Sequence, residues 1–200
     1  DTIFIDHDEI KTLNYVLYDD SGVEIIKKSV TFSSNNYVSQ HDIVINERGL
    51  DYNTNLELLW LGGLRPTEEK INEDIQYSSG LISQAGEIES IRVSDPKKIV
   101  ERIPYNGTTE WVAIRSKYFV TALLSNTAST FATLSAKNIN FGKRDQTPAY
   151  SASLGYPLDQ NSISAEIYLG PLDVDYIIKT GSTLDASMNW GWAIIRPISK

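Results

Sequence analysis

The sequence contains no cysteine and only two histidines among its 200 residues. Without cysteine, the chain can form neither disulfide bonds nor thiolate metal sites. A metal site would need mostly carboxylate ligands, and no spacing of carboxylates here indicates one. We therefore expect no metal ion and no cofactor. The lack of cysteine fits both a reducing compartment and an envelope protein without disulfides, so it does not choose between them.

Clusters of positive charge are also scarce. The formal net charge is −8 and the pI is near 4.8. Because recognition of nucleic-acid phosphates depends on clustered Lys and Arg, this balance excludes non-specific binding to DNA or RNA. The dense basic pairs lie among acidic or polar neighbours and are expected at solvated edges or turns: Lys27 and Lys28, Lys97 and Lys98, Lys143 and Arg144.

The sequence lacks an apolar run of the roughly 20 residues that a membrane-spanning helix needs. Its first residues, TIFID, alternate as a strand does and lack the pattern of a signal peptide. The chain is therefore expected to be either a cytosolic protein or a piece of a larger one. The features of its C-terminal end, described below, favour the second interpretation.

Most of the sequence consists of short segments of alternating polar and apolar residues, separated by turn residues. Residues 19–22, DDSG, indicate a hairpin turn with glycine at the position that needs a positive φ. We count roughly ten strands at a spacing typical of sandwiches. Short helices are predicted near Thr67–Ser79, near Asp173–Thr180 and at the C-terminus. The fold class is therefore all-β, a large antiparallel sandwich.

Several segments are predicted to be buried. In residues 55–61, Leu59 and Leu61 lie on one face of the predicted strand and other apolar residues lie on the opposite face. This pattern favours a strand buried on both faces. Residues 109–125 are interpreted as two core strands joined at Ser116 and Lys117, with the run from residue 118 to 124 fully buried. Three aromatic residues are expected in the core: Trp60, Trp111 and Phe119. Eleven tyrosines can line a groove for peptide or sugar, but sequence order does not show which of them converge.

No motif for catalysis is present: there is no GxSxG, no phosphate-binding loop and no HExxH. The remaining enzymatic alternative is a carbohydrate-binding or carbohydrate-active sandwich with a histidine acid and a glutamate base. Its candidates are His7, His41, Glu57, Glu110 and Glu166. Both histidines lie in strand-like segments beside aspartates, which indicates exposed positions. We therefore expect no enzymatic activity and keep the carbohydrate sandwich as the alternative.

The C-terminal stretch MNWGWAIIRPISK is unusually apolar and aromatic for an acidic chain. Tryptophan and arginine suit a membrane interface, where the polar tip lies among headgroups and the apolar body below them. We interpret the tail as membrane-proximal; its candidate interface residues are Trp190, Trp192, Ile194, Ile195, Arg196 and Pro197. The alternative is an envelope interaction domain whose tail packs on its own core.

Two stretches, TEWVAIRSKYFVTALL and EIYLGPLDVDYIIKTGSTLDASMNWGWAIIRPISK, resemble the periplasmic domain of the YidC membrane protein insertase. Residues 19–45 match that domain more loosely. The matching residues in the two stretches are Trp111, Val112, Ala113, Tyr118, Phe119, Thr121, Ala122, Tyr168, Gly170, Pro171, Trp190, Gly191, Trp192, Arg196 and Pro197. The glycine-proline pair and the tryptophan turn, at this spacing after the Tyr-Phe strand, are the specific part of the resemblance.

The resemblance implies a β-super-sandwich similar to galactose mutarotase, used without enzymatic activity on the periplasmic side of the bacterial inner membrane. It implies a role in the insertion and folding of inner-membrane proteins, with Sec translocon accessory subunits and nascent membrane proteins as partners. The domain would cover residues 1–187, with strands missing before it, and residues 188–200 would begin an interfacial amphipathic helix. The membrane core and its functional arginine would lie beyond this chain, and Arg196 is not that arginine.

Overall fold

The structure, a computed structural model, describes residues 2–46, 55–67, 71–95, 98–139, 147–157 and 160–188. These residues form twelve strands and two short α-helices. The strands are β1 Ile10–Tyr18, β2 Glu24–Ser33, β3 Val38–Ile45, β4 Leu56–Trp60, β5 Ser79–Gln84, β6 Glu87–Ile91, β7 Val100–Asn106, β8 Thr109–Arg115, β9 Phe119–Ser125, β10 Phe131–Ile139, β11 Thr147–Tyr156 and β12 Ser162–Pro171. The helices are α1 Ile71–Tyr77 and α2 Val174–Ile177, and two 3-10 helices follow, Ile178–Thr180 and Thr183–Ser187.

The strands build two antiparallel sheets. The large sheet has eight strands in the order β1-β2-β3-β12-β9-β8-β5-β6, and the small sheet has four in the order β4-β11-β10-β7. Strand β12 joins the first and second halves of the chain, because it pairs with β3 on one side and β9 on the other. The predicted all-β antiparallel sandwich is confirmed, whereas the likeness to galactose mutarotase stays a prediction.

The turn at residues 19–22 forms as predicted. Gly22 has φ 82°, and the Asp19 carboxylate accepts hydrogen bonds from the backbone N–H groups of Ser21 and Val23, both at 2.9 Å. The Ser21 hydroxyl also donates to it. These bonds to the charged form lower the pKa of Asp19. The turn fixes the β1–β2 register by local chemistry alone.

Apolar side chains from the two sheets meet in the inter-sheet core, whose central members include Val112, Leu134, Leu154 and Tyr156. Alternation along each strand sends every second residue to this core. Two buried tyrosines keep their hydroxyls paired. The Tyr150 hydroxyl accepts from the Val93 N–H at 2.9 Å, and the Tyr156 hydroxyl lies 3.0 Å from the Ser125 Oγ. These hydrogen bonds offset the free-energy cost of burying the two tyrosine hydroxyls.

The centre of the opposite face of the large sheet is also apolar. A second core forms there between strand residues such as Trp111 and Tyr168 and the segment after β12, which we call the C-terminal cover (residues 172–188). Ile177 and Leu184 of the cover are fully buried. Two side chains of β8 hold it in place: the Trp111 indole N–H donates to the Thr183 hydroxyl at 3.0 Å, and Arg115 donates to the Ser187 carbonyl at 2.8 Å.

The predicted helix near Asp173–Thr180 is confirmed, with its ends set as expected. Asp173 caps α2 by accepting the N–H of Asp175, and Gly181 ends the following 3-10 helix in the left-handed region at φ 66°. The helix predicted near Thr67–Ser79 is α1. The 3-10 helix Thr183–Ser187 was not predicted, because it has little helical periodicity of its own and packs on the large sheet.

Several sequence predictions were wrong. Residues 2–6 form no strand, and β4 is buried on one face only, since Leu59 and Leu61 are exposed. The run from residue 118 to 124 is not fully buried: Tyr118 is 49% exposed and Phe119 41%. Tyr118 precedes β9 and Phe119 begins it, so both lie at the end of the large sheet. Trp60 is only partly buried.

We expect Leu184→Ala to lower the free energy of unfolding by about 2–4 kcal/mol, because it empties a fully buried position between cover and sheet. Ile178→Ala is the matched control: it removes a side chain of similar size from the same segment, but one that is 60% exposed. Urea denaturation measures both. Equal, small losses would mean that the cover does not pack on the sheet in solution.

Candidate functional site

The two histidines occupy unlike environments. His7 lies in an exposed turn, where its Nδ1 is 2.8 Å from the Asp8 carboxylate. His41 is buried on β3, contrary to the prediction of an exposed position. Its Nε2 lies 2.9 Å from the Ser39 hydroxyl, and its Nδ1 has no partner among the described residues. Burial, reinforced by the charge of Lys28 and opposed by that of Asp42, lowers the pKa of His41 to about 4.

The candidate carboxylates do not join His41. His41 pairs with Ala165, so the next residue, Glu166, points to the opposite face of the large sheet. There Glu166 lines a polar cleft beside the cover together with Glu110, whose carboxylate accepts from the hydroxyls of Ser83 and Thr183. Glu57 lies on the small sheet and bonds to Arg102. The large sheet therefore separates His41 from Glu110 and Glu166, and Glu57 lies on the other sheet.

An apolar groove of about 400 Å³ lies where the C-terminal end of β12 meets the start of β9. Pairing of Pro171 with Phe119 brings two of the residues that carry the family resemblance into its wall. Four separate segments supply the lining: Tyr37, Leu64, Arg65, Thr67, Phe119, Leu169, Gly170 and Pro171. We call this the Tyr37 groove.

Gly170 shapes the Tyr37 groove through the space it leaves. A Cβ at this position would lie 2.7 Å from the Tyr37 Cγ and 2.9 Å from the Tyr168 hydroxyl oxygen, both closer than real Cβ contacts. Without a side chain there, the Tyr37 ring packs edge-on against Tyr176, with centroids 4.9 Å apart, and against Tyr168 at 6.3 Å. The glycine of the Gly-Pro pair is thus a steric requirement of this tyrosine cluster.

The hydroxyl of Tyr168 is bonded to the backbone at the end of β12. Burial, and then the charge of Asp173, raises the pKa of Tyr168 to about 12, and its hydroxyl donates to the Pro171 carbonyl at 2.8 Å. Beside the groove, the Lys117 ammonium lies 4.8 Å from the centroid of the Tyr118 ring and 2.6 Å from the Glu73 carboxylate. The groove wall is mostly apolar, and the exposed Arg65 is among its lining residues.

The residues that carry the resemblance fall into two groups in the structure. Trp111 is buried under the cover, whereas Phe119, Gly170 and Pro171 line the Tyr37 groove and Tyr118 lies next to it. Sequence reasoning missed Tyr37, Leu64, Arg65 and Leu169 as groove residues. No local pattern marks them, because the groove exists only once four distant segments have folded together.

The predicted membrane-proximal residues, Trp190, Trp192, Ile194, Ile195, Arg196 and Pro197, lie outside the described residues, as do the predicted C-terminal helix and most of the segment 188–200. Within the part of the chain that the structure describes, no helix has the length and apolarity to cross a membrane. Within that part, too, no three metal-ligating side chains gather.

Comparison with protein families gives a match to the YidC periplasmic domain over residues 6–200. The chain belongs to the YidC periplasmic domain family. The resemblance drawn from the Trp111, Tyr118–Phe119 and Gly170–Pro171 motifs is thereby confirmed. This YidC-family chain is also similar to curated proteins named membrane protein insertase YidC.

The relative from Prosthecochloris aestuarii is 28% identical over 174 residues, which covers 85% of this chain and 30% of that protein. The relative from Chloroherpeton thalassium is 26% identical over 181 residues, covering 88% of this chain and 31% of that protein. The chain therefore spans about a third of the length of these relatives. A solved structure titled "Crystal Structure Analysis of HI1317" aligns with TM-score 0.46 and 14% identity over 80% of this chain and 60% of that one, which is too weak a likeness to support an argument.

His41 makes the stability of this YidC-family domain depend on pH. In the unfolded chain its pKa is about 6.5, and in the folded chain about 4, so the unfolded state binds the proton first as pH falls. The stabilisation is complete above about pH 6.5 and is lost between 6.5 and 4, by about 3 kcal/mol if this residue acts alone. Urea denaturation across this range is expected to show a shallower pH dependence for His41→Gln than for wild type.

His7→Gln serves as the control, because it removes the exposed histidine. Its unfolding free energy is expected to follow the wild-type pH dependence. A His41→Gln profile that parallels wild type throughout this range would contradict the assignment of a buried neutral His41.

Proposed function

We propose that this chain is the non-catalytic periplasmic domain of a membrane protein insertase, on the periplasmic side of the bacterial inner membrane. In this role it assists the insertion and folding of inner-membrane proteins through contacts with the substrate and with Sec translocon accessory subunits. The observation that carries the proposal is the family match over residues 6–200, together with relatives named as insertases.

The Tyr37 groove supports a contact with substrate. Phe119 and Leu169 expose 41% and 49% of their surface beside the ring of Tyr37, so their burial by an apolar segment is favourable. Membrane proteins carry such segments before they enter the bilayer. We assign this groove the role of holding an apolar segment of the substrate.

The carbohydrate alternative has no comparable support. An acid-base pair must act on one sugar from two sides, with carboxyl or imidazole groups a few ångströms apart. Here His41 faces the inter-sheet side, while Glu110 and Glu166 border the cleft on the cover side. A role that depends on apolar contact therefore fits the described residues better than sugar chemistry.

Binding of a dansyl-labelled leucine-rich peptide tests the groove. We expect Phe119→Ser with Leu169→Ser to weaken binding about thirtyfold, because the variant removes two apolar contacts worth about 1 kcal/mol each at partial burial. Fluorescence anisotropy measures the dissociation constant. In the full insertase, the same double variant is expected to slow insertion of a substrate protein into membrane vesicles.

The matched control is Tyr15→Ser with Val44→Ser, which removes two exposed apolar side chains from β1 and β3, away from the groove. Peptide binding by this control is expected to equal wild type. Equal weakening in both double variants would show unspecific apolar adsorption and would remove the Tyr37 groove from the proposal.

The tail is the second part of the proposal: residues 188–200 begin an interfacial helix through which the domain contacts the membrane. Its membrane-facing residues are Trp190, Trp192, Ile194, Ile195, Arg196 and Pro197. Two tryptophans and an arginine within seven residues provide the chemistry of an interfacial anchor.

Liposome co-sedimentation tests the tail. We expect Trp190→Ala with Trp192→Ala to reduce binding to anionic vesicles. Thermal unfolding of the same variant separates the two interpretations of the tail. A double variant that binds vesicles as wild type does but melts at a much lower temperature would mean that the tail is part of the core.

A further inference from the structure

One end of the large sheet carries a buried polar cluster that the proposed function does not use. Arg115 ends β8 directly opposite Ser79, the first residue of β5. From the cover, Ser187 reaches the same place, since Arg115 donates to its carbonyl at 2.8 Å. The three residues come from three segments, and all are buried. Arg115 is 5% exposed, Ser79 is 1% exposed and Ser187 is 2% exposed.

Each of these residues keeps a buried polar atom without a partner among the described residues: the Nε of Arg115, the Oγ of Ser79 and the Oγ of Ser187. Three unsatisfied groups in one place are costly, because each has lost its hydrogen bonds to water. Three of the six buried side-chain polar atoms without a partner among the described residues therefore belong to this one cluster.

The cluster also carries positive charge. None of the ion pairs between described residues involves Arg115. A second arginine, Arg92, lies close enough for its charge, after burial, to contribute to lowering the pKa of Arg115. A second positive charge near the buried Arg115 guanidinium favours an anion that lies with both.

Arg92 itself is exposed to solvent. Arg92 follows Ile91 of β6. Because Ile91 pairs with Gly80 of β5, the Arg92 backbone lies close to that of Ser79. It lines an open groove of about 460 Å³ together with Asn72, Ile75, Gln76 and Ser94. Arg92 thus lies near Arg115 and borders a surface groove.

From these observations we propose that Ser79, Arg92, Arg115 and Ser187 form a binding site for a phosphate-type oxyanion, either free or as the headgroup of an anionic phospholipid. A guanidinium N–H and two hydroxyls that arrive from three segments offer donors in several directions, which suits a tetrahedral anion with several acceptor oxygens. Water can satisfy hydroxyls, but it leaves the two positive charges uncompensated. The two arginines form a locally positive region in a chain whose net charge is −8.

Thermal unfolding with increasing inorganic phosphate, at constant ionic strength set with chloride, tests the site. Wild type is expected to show a saturable rise in Tm, because a ligand that binds only the folded state stabilises it. Arg92→Ala is expected to weaken the apparent phosphate affinity about tenfold, the loss typical of one charge-assisted hydrogen bond. Since Arg92 is exposed, this variant keeps the core intact.

Ser79→Ala gives a second, independent readout. Without phosphate it is expected to be neutral or stabilising, because it removes an unsatisfied buried hydroxyl. With phosphate it is expected to show a smaller rise in Tm than wild type. Lys27→Ala, which removes one exposed positive charge from β2, is the charge-matched control and keeps the wild-type response. Absence of a saturable rise in wild type, or an equal rise in all four proteins, overturns the proposal.

Flotation with vesicles distinguishes the two sources of the anion. If the ligand is a headgroup, binding to phosphatidylglycerol-containing vesicles exceeds binding to phosphatidylcholine vesicles, falls in Arg92→Ala and is competed by inorganic phosphate. If the ligand is free phosphate, Arg92→Ala changes the phosphate response but leaves vesicle binding as in wild type. Either result supports the oxyanion site, and the tail variants above test a different surface.

Discussion

The centre of the large sheet is apolar on both faces, and the rest of the structure depends on this constraint. One face packs on the small sheet and the other on the C-terminal cover. A sheet of this kind cannot leave either face in water without losing the burial that stabilises it. The segment after the last strand is therefore part of the fold: Leu184 is fully buried, and Met188 packs against the same core. The sheet thus fixes where the chain runs as it approaches residue 188.

This constraint explains the family motif in physical terms. Trp111 fills the space under the cover and bonds to Thr183. Gly170 leaves room for the Tyr37 ring, whose cluster includes Tyr176 of the cover. Trp111 and Gly170 therefore both serve the docking of the cover on the sheet. The same cluster forms a wall of the Tyr37 groove, so the groove and the cover share their support.

Local chemistry made much of the fold predictable. The turn at Asp19 and the Asp173 cap depend on neighbouring residues, and both were predicted. The wrong predictions concern the burial of side chains, which depends on which layer lies above a strand. The pattern of β4 fits burial on two faces, but Leu59, on an edge strand of the small sheet, is left 47% exposed by the described residues around it. Phe119 and His41 were misplaced for the same reason. The Tyr37 groove and the buried serines required knowledge of which distant segments converge, and sequence alone does not provide it.

The proposed oxyanion site lies on the boundary that this constraint creates. Arg115 belongs to the sheet and Ser187 to the cover, and their hydrogen bond already joins the two. An anion bound between Arg115, Ser79 and Ser187 would add further bonds across the same boundary. Binding of the anion and docking of the cover would then favour each other by the same free energy, because thermodynamic coupling is reciprocal. If that anion is a phospholipid headgroup, the membrane surface itself strengthens the packing of the segment that precedes the tail. Lipid binding and docking of the cover would then be thermodynamically coupled.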